Sequence, residues 1–467
     1  MKKISTLCIF CCLWLTATAD DAPFSIIDNL FDHTIKTTLG LNSAPGLETV
    51  TVFAPTDDTD HYSNGVVMAA FKGSLYCMWQ SSQKDEDSDD TWVAYSRSNN
   101  DGQTWSEPMV LCPTLANGYC ASGGWLATND RLIGFINVRT KDIANNGGYT
   151  QYVETTDGEN WTEPQDVLMD DGTLLNGIFE QDPHRLSDGR IIGAAHFQPG
   201  LKLCPIYTDD PTGRTGWKKG NFEYTNNGTQ SKELEPSFFL QQDGTLVMVM
   251  RDQGGSFKML AATSKDRGET WTKSVKTNMP DSRAKQCAGN LPDGTAFLVN
   301  NPINTNKPRT PLALTLSANG NTFTKSWLLR GGDDLPEQRY SGKAKTLGYS
   351  YPKAMISNGW LYVGYSTNKD DVQYTRIPIS SIAMNTSGIE LATADQEGIT
   401  IKGRILHISS TADVSVVELY DLSGKNIKHC QASGRKLSIS LSDKPAGIYV
   451  VRVITGKGIQ TKKIVLK

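Results

Sequence analysis

The sequence is poor in the features that most often announce a function. Its 9 cysteines fall in no paired spacing of the kind that holds a metal, which argues against a zinc or iron–sulfur site; no metal and no cofactor are expected. The formal net charge is only −4, from 46 basic and 50 acidic residues, so there is no basic excess to hold a phosphate backbone and no nucleic-acid partner is expected. Beyond the first 19 residues no apolar run is long enough to span a bilayer. Nor does any amphipathic helical stretch or exposed apolar run argue for self-association, and a monomer is expected. What remains, at 21% charged residues, has the make-up of an ordinary soluble globular protein.

The N-terminus does carry an address. Lys2 and Lys3, the apolar run Ile4 to Leu15 and the small residues Ala17-Thr18-Ala19 read as a secretory signal peptide over residues 1–19, cut before Asp20. A lipoprotein anchor at Cys11 or Cys12 fits less well, because neither ends the apolar stretch. With Cys8, these two lie inside the signal. Of the remaining six, Cys112 and Cys120 are close enough in sequence to pair in an oxidising compartment, whereas Cys77, Cys204, Cys287 and Cys430 are scattered and read as buried thiols.

The strongest internal signal is a turn that ends on an aromatic residue. Its fullest copy is Ser264-Lys265-Asp266-Arg267-Gly268-Glu269-Thr270-Trp271. Others end at Trp105, Trp161 and Phe323, with a stretched copy at Trp217 after Gly213; the intervals between positions 105, 161, 217, 271 and 323 are 56, 56, 54 and 52 residues. Asp or Asn accepts backbone hydrogen bonds in such a turn, Gly takes a backbone shape closed to other residues, and the aromatic ring is buried beneath the hairpin. A period of about 55 residues means stacked units of one architecture.

The pattern S-x-D-x-G-x-x-W resembles the Asp-box of the sialidase (neuraminidase) superfamily. That resemblance implies an all-β fold, a six-bladed β-propeller. Residues 45–385 leave room for roughly six four-stranded units of that period, after a lead-in over 20–44. A polar connector over 386–398 follows, and then residues 399–467 alternate as short strands (Ser415 to Tyr420, Leu437 to Leu441, Ile448 to Val453, Thr461 to Leu466) that predict a small β-sandwich. Within it, Val417-Glu418-Leu419-Tyr420-Asp421-Leu422-Ser423-Gly424, Ala446-Gly447-Ile448-Tyr449 and the basic end at Lys462, Lys463 and Lys467 resemble the C-terminal sorting domain of type IX secretion. The resemblance implies the type IX machinery as a partner and a secreted or outer-membrane surface product. A carbohydrate-binding or spacer module is the alternative.

Set beside the sialidase pattern, four places can carry chemistry. In the loop Lys84-Asp85-Glu86-Asp87, Asp85 falls where sialidases place the general acid/base; a solvated acidic loop is the alternative. Glu235 and Arg251 are separated by 16 residues across an Asp243-Gly244 turn, as are the sialidase Glu that polarises a tyrosine and the Arg that forks onto a substrate carboxylate. Arg309 falls at the last arginine of that carboxylate clamp. Tyr351, in Gly348-Tyr349-Ser350-Tyr351-Pro352, falls at the nucleophile, with Tyr349 in reserve.

The pattern breaks at the first clamp arginine. An Arg-Ile-Pro motif belongs there, and this chain has Asp60-His61-Tyr62-Ser63-Asn64-Gly65. His61 is itself a usable acid/base, and the position is similar to that of a histidine in propeller lyases and rhamnosidases acting on rhamnose-glucuronate linkages. His184 and His196, from a middle repeat, could face the same mouth. The expected function is a secreted, sialidase-like exo-glycoside hydrolase that takes an acidic terminal sugar from a glycan. Asp85, Glu235, Tyr351 and His61 are its candidate catalytic residues; Arg251, Arg309, His184 and Tyr349 are the substrate-binding ones. The alternatives are the lyase or rhamnosidase with His61 at its centre and a non-catalytic glycan-binding propeller.

Overall fold

The computed structural model describes residues 22–143, 147–385, 398–410, 413–421, 424–455 and 458–466. The expected signal peptide and nearly all of the expected connector lie outside them. The chain divides into two compact units at residues 387 and 388.

In the first unit the repeat emerges as six antiparallel sheets in chain order. Sheet 1 runs Tyr62–Phe71, Ser74–Ser82, Trp92–Ser98 and Met109–Cys112; sheet 2 runs Gly118–Ala127, Leu132–Thr140, Tyr149–Thr155 and Gln165–Asp166. Sheet 3 opens with Gly177–Phe179 and continues through Ile191–Phe197, Lys202–Thr208 and Lys218–Lys219, with His184–Arg185 paired beside its second strand. Sheet 4 comprises Glu233–Leu240, Leu246–Asp252, Lys258–Ser264 and Val275–Pro280; sheet 5 comprises Cys287–Asn290, Ala296–Asn300, Leu312–Ser317 and Lys325–Arg330. Sheet 6 takes Tyr349–Ser357, Trp360–Thr367 and Asp371–Pro378 from the end of the unit and its fourth strand, Glu48–Phe53, from the beginning.

Opening strands neighbour one another. Tyr62–Phe71 touches Gly118–Ala127, which touches Gly177–Phe179; Glu233–Leu240 touches Cys287–Asn290, which touches Tyr349–Ser357, and that strand returns to Tyr62–Phe71. Each sheet is therefore covered on both faces. Ser74–Ser82 is buried at every position, which is why its middle, Leu75–Trp79, reads as a continuous apolar run instead of an alternation. Separate apolar clusters fill the gaps, as Tyr76, Val93, Trp125 and Val153 do between sheets 1 and 2.

The aromatic-ended turns link the third and fourth strands of a sheet and dock on the sheet before. In the fullest copy the Ser264 hydroxyl donates to Asp266 and accepts the Gly268 N–H, Asp266 accepts the Thr270 N–H, and Trp271 Nε1 donates to the Gly268 carbonyl. The same bonds recur at Ser98, Asn100 and Gly102 and at Ser317, Asn319 and Gly320. Trp271 packs with Ile192 and Leu203 of sheet 3. The lead-in is pinned too, with Phe24 set edge-on to Phe239 and Phe323 at 5.8 and 5.3 Å.

In the second unit Ile399–Lys402, Ile405–Ser409 and Lys436–Ser440 form one sheet, and Val414–Tyr420, Asn426–Gln431, Gly447–Thr455 and Gly458–Leu466 another. Both contribute to one apolar cluster, Leu406 and Ile408 with Val417, Leu419, Val451 and Val453. Three of these strands, 399–402, 405–409 and 426–431, are absent from the sequence reading because their polar flanks hide the alternation. Among the cysteines, the Cys112 and Cys120 sulfurs lie 3.1 Å apart as thiols, Cys77 and Cys287 are buried, and Cys204 and Cys430 are only half-buried.

Candidate functional site

The site is built from irregularities in the opening strands. Register slips between Leu234 and Ser237 in sheet 4 and between Ser350 and Lys353 in sheet 6. In each, two residues, Glu235-Pro236 or Tyr351-Pro352, stand opposite one on the partner strand, and a proline costs nothing where no ladder partner awaits its missing N–H. Glu235 and Tyr351 sit at φ of +52° and +58°, a conformation that is costly for side-chain-bearing residues and gathers at functional sites. Two bulges of one design thus turn a carboxylate and a phenol out of their sheets.

Around them stand cations. Arg251, paired across the hairpin with Leu234 next to Glu235, donates through Nη1 to Glu235 Oε2 at 3.0 Å. Arg309 is held by backbone bonds on both sides of Gly348, its N–H to Leu347 and its carbonyl to the Tyr349 N–H. Its Nη2 stands 3.5 Å from the Tyr351 hydroxyl and its guanidinium carbon 4.5 Å from the ring centre. Lys285 Nζ and Lys369 Nζ each lie 5.1 Å from that ring centre. The Nε atoms of both arginines are buried without a hydrogen-bond partner among the described residues. Burial alone would raise the Tyr351 phenol, but Arg309 and Lys369 outweigh it, and the net displacement is downward in spite of Glu235 and Glu86.

Carboxylates balance most of this charge. Glu86 Oε1 accepts from Lys369 Nζ at 2.7 Å, from the Tyr62 hydroxyl at 2.5 Å and from Asn64 at 3.2 Å. Burial opposes ionisation there, yet Lys369 and Tyr62 hold Glu86 below the usual carboxylate range. Glu180 follows the strand Gly177–Phe179 and accepts from Lys285 at 2.8 Å and from Arg139 at 3.4 Å. His196 Nε2 lies 3.3 Å from the Glu235 N–H, which it accepts, and its Nδ1 lies 3.7 Å from Glu180.

Glu235, Arg251, Arg309 and Tyr351 are therefore brought together as the sequence predicts. Four other expected site residues are not with them. Asp85 turns away: its Oδ1 accepts the Lys343 N–H at 2.6 Å and its carbonyl accepts the Ser82 and Ser88 hydroxyls. Asp87, two residues on, is the exposed acid of that loop, beside Gln80 and hydrogen-bonded to Tyr119. His61 sends Nε2 to the Thr56 carbonyl at 3.0 Å and stacks on Tyr340 at 3.9 Å, so its ring holds the 55–61 loop. His184 packs edge-on against Phe238, and burial pushes its imidazole down to about 4. Tyr349 belongs to the core between sheets 5 and 6, under Arg330.

Sequence reasoning missed Tyr62, Glu86, Lys285, Glu180 and Lys369. Glu86 and Tyr62, next to the chosen Asp85 and His61, left a usable trace. Lys369 lies in Asn368-Lys369-Asp370-Asp371, which reads as a surface turn.

Six consecutive antiparallel sheets that present a cation-ringed tyrosine define an all-β protein of the sialidase-like class. The BNR repeat-like domain model matches residues 73–363, and the chain belongs to that family. Residues 402–467 match the secretion system C-terminal sorting domain, which indicates type IX secretion to the outer-membrane surface or the extracellular space. A sialidase of Bacteroides fragilis strain YCH46 is 24% identical over 222 residues, spanning 41% of this chain and 39% of that relative. Among solved structures, the Hadza microbial sialidase Hz136 aligns at a TM-score of 0.56 and 16% identity over 71% of this chain and 69% of its own. A protein of unknown function from Dyadobacter fermentans DSM 18053 aligns at 0.55 and 16% identity over 71% of this chain and 99% of its own. At these identities the likeness is one of fold.

Proposed function

We propose that the six sheets are the blades of a propeller and that the site at Tyr351 is that of an exo-glycoside hydrolase acting on a terminal sugar with a carboxylate at or beside its anomeric carbon. One observation carries this reading: Arg309 and Arg251 flank Tyr351 with guanidinium nitrogens to spare, so an anion docked on them would bring its neighbouring carbon to the phenol. Tyr351 attacks that carbon and forms an aryl glycoside, with its proton passing toward Glu235. A phenol of lowered pKa approaches a carboxylate-bearing centre with less repulsion than a carboxylate would. Asp87, the exposed acid of the 84–87 loop, protonates the departing glycosidic oxygen and then takes a proton from the incoming water. Glu86, kept ionised by Lys369, is a poor donor for that step.

The sorting domain and the relatives named sialidases support an extracellular glycan as substrate. The lyase or rhamnosidase centred on His61 loses support, because that ring is engaged on Thr56 and Tyr340.

The test is release of free sugar from a panel of sialyl and uronyl oligosaccharides. Tyr351→Phe is expected to lower kcat/KM by roughly a thousandfold or more, with the oligosaccharide still bound. Binding by the parent protein without any release over days would make the site a lectin's and end the hydrolase reading.

A further inference from the structure

The clamp arginine missing from the first sheet leaves a gap in charge as well as in sequence. Tyr62 stands in that stretch, and a phenol whose pKa burial and Glu86 push well above its usual value brings no positive charge. A cation nevertheless occupies the neighbourhood. Lys369 arrives from sheet 6 on the turn between Trp360–Thr367 and Asp371–Pro378, with Nζ 3.2 Å from the Tyr62 hydroxyl, 2.7 Å from Glu86 and 5.1 Å from the Tyr351 ring centre.

That turn is unusual. Asn368 and Lys369 take φ of +57° and +56° in succession, and Asn368, Lys369 and Asp370 are each only 1% exposed. Burying a charged turn in a left-handed conformation costs free energy twice, in desolvation and in backbone strain. The surroundings hold it nonetheless. Asn368 donates to the Pro336 carbonyl at 3.0 Å and accepts the Gly348 N–H at 2.8 Å, Asp370 binds Lys345 and accepts the Arg339 N–H, and the Lys369 carbonyl accepts the Ser63 N–H. Every anchor belongs to the first strand, to the 336–345 loop or to the segment leading into Tyr351. The ammonium is thereby fixed between the acid Glu86 and the phenol Tyr351.

We propose that Lys369 is a positioning residue for the nucleophile: on the side of the site where the clamp arginine is missing it pairs with Glu86 and favours the anionic form of Tyr351, while Arg309 and Arg251 alone receive the substrate carboxylate. The inference rests on Tyr351 as nucleophile, but its first readout needs no substrate. The groups facing the phenol are Arg309, Lys285 and Lys369 as cations, Glu235 and Glu86 as anions, with Arg251 behind Glu235.

The experiment is an ultraviolet difference titration of the full chain against Tyr351→Phe, which isolates the phenolate of one tyrosine. In Lys369→Met that titration should move to higher pH by about one unit or more, and Lys369→Arg should restore most of it. Glu86→Gln, which removes a carboxylate and should survive any folding defect of Lys369→Met, should move it the opposite way. Unchanged titration in both Lys369→Met and Glu86→Gln would overturn the proposal. Kinetically, Lys369→Met should lower kcat with little change in KM and shift the pH profile upward, whereas Arg309→Met should raise KM. A shifted titration in a protein that releases no sugar from any substrate would leave Lys369 in place and remove the hydrolase.

Discussion

Three consecutive acids in one loop meet three different fates. Asp85 ties the loop to the Lys343 backbone, Glu86 is held ionised by an ammonium and a phenol, and Asp87 stays exposed beside Gln80 and Tyr119. Environment rather than residue type assigns their roles. Asp87→Ala is expected to lower kcat roughly a hundredfold to ten-thousandfold on substrates with poor leaving groups. Asp85→Ala should leave kcat within a few-fold, and a steady-state comparison in which Asp85→Ala is the more damaged variant would restore Asp85 as the acid. On the proposed assignment the sequence reading falls in the right loop but two positions early, because a run of carboxylates carries no information about which one the neighbouring backbone will capture. Glu235 and Arg251 were legible for the opposite reason: both lie on one hairpin, where spacing alone sets register. Lys369 was not, since its partners Glu86 and Tyr62 are about 300 residues away, at separations of 283 and 307.

Among elements, the aromatic-ended turn was the most legible feature, since every bond in it lies within a few residues. Its packing was less so. Gly158, at φ +83°, closes the turn of sheet 2 against sheet 1, and a Cβ there would lie 2.0 Å from the Tyr76 hydroxyl oxygen. Gly244, at φ +85°, has nothing within 4 Å. Alanine at either position meets the same left-handed backbone penalty, about 1–2 kcal/mol. Only Gly158→Ala must also displace a buried tyrosine, roughly another 1–3 kcal/mol. Calorimetry should therefore find a clearly larger fall in Tm for Gly158→Ala than for Gly244→Ala, and equal falls would mean that the turn does not bear on its neighbour. The bulges at Glu235-Pro236 and Tyr351-Pro352 were visible as residue-proline pairs, but their φ > 0 geometry was not, because a residue before proline ordinarily prefers extended backbone.

At the scale of the whole molecule, buried titratable groups set how stability responds to pH. Burial raises the Asp281 carboxyl to about 6, against the pull of Asn300 and the Ala284 N–H. An unfolded aspartate releases its proton near 3.9, about two units lower. Between those values the native state keeps a proton that the unfolded state has lost, so the contribution is complete below about 4 and disappears as pH rises through about 6. Glu180 acts in the other sense: burial opposes its charge, but Lys285, His196 and Arg139 hold it well below the usual range, and its contribution is lost as acid protonates it. Stability from denaturant melts should fall by on the order of 2 kcal/mol between about pH 4 and 6 and level off above that, and Asp281→Asn should flatten that step. An unaltered step in the variant would assign it elsewhere.

Sheet 6 draws its fourth strand from the opposite end of the unit, and Thr49 Oγ1 meets Thr375 Oγ1 at 3.0 Å across 326 residues of chain. A nascent chain must therefore hold residues 48–53 unsatisfied until nearly the whole unit has been synthesised, a long loop to close and a slow topology to complete. Glu48–Phe53 is thus among the last strands of the unit to find a partner. Because the strands 48–53 and 371–378 lie side by side, the order of the strands along the chain is not dictated by the sheet: a circular permutant that keeps the lead-in and is opened at the exposed residues 242–244 would keep the six sheets while changing the order in which the ribosome delivers their strands.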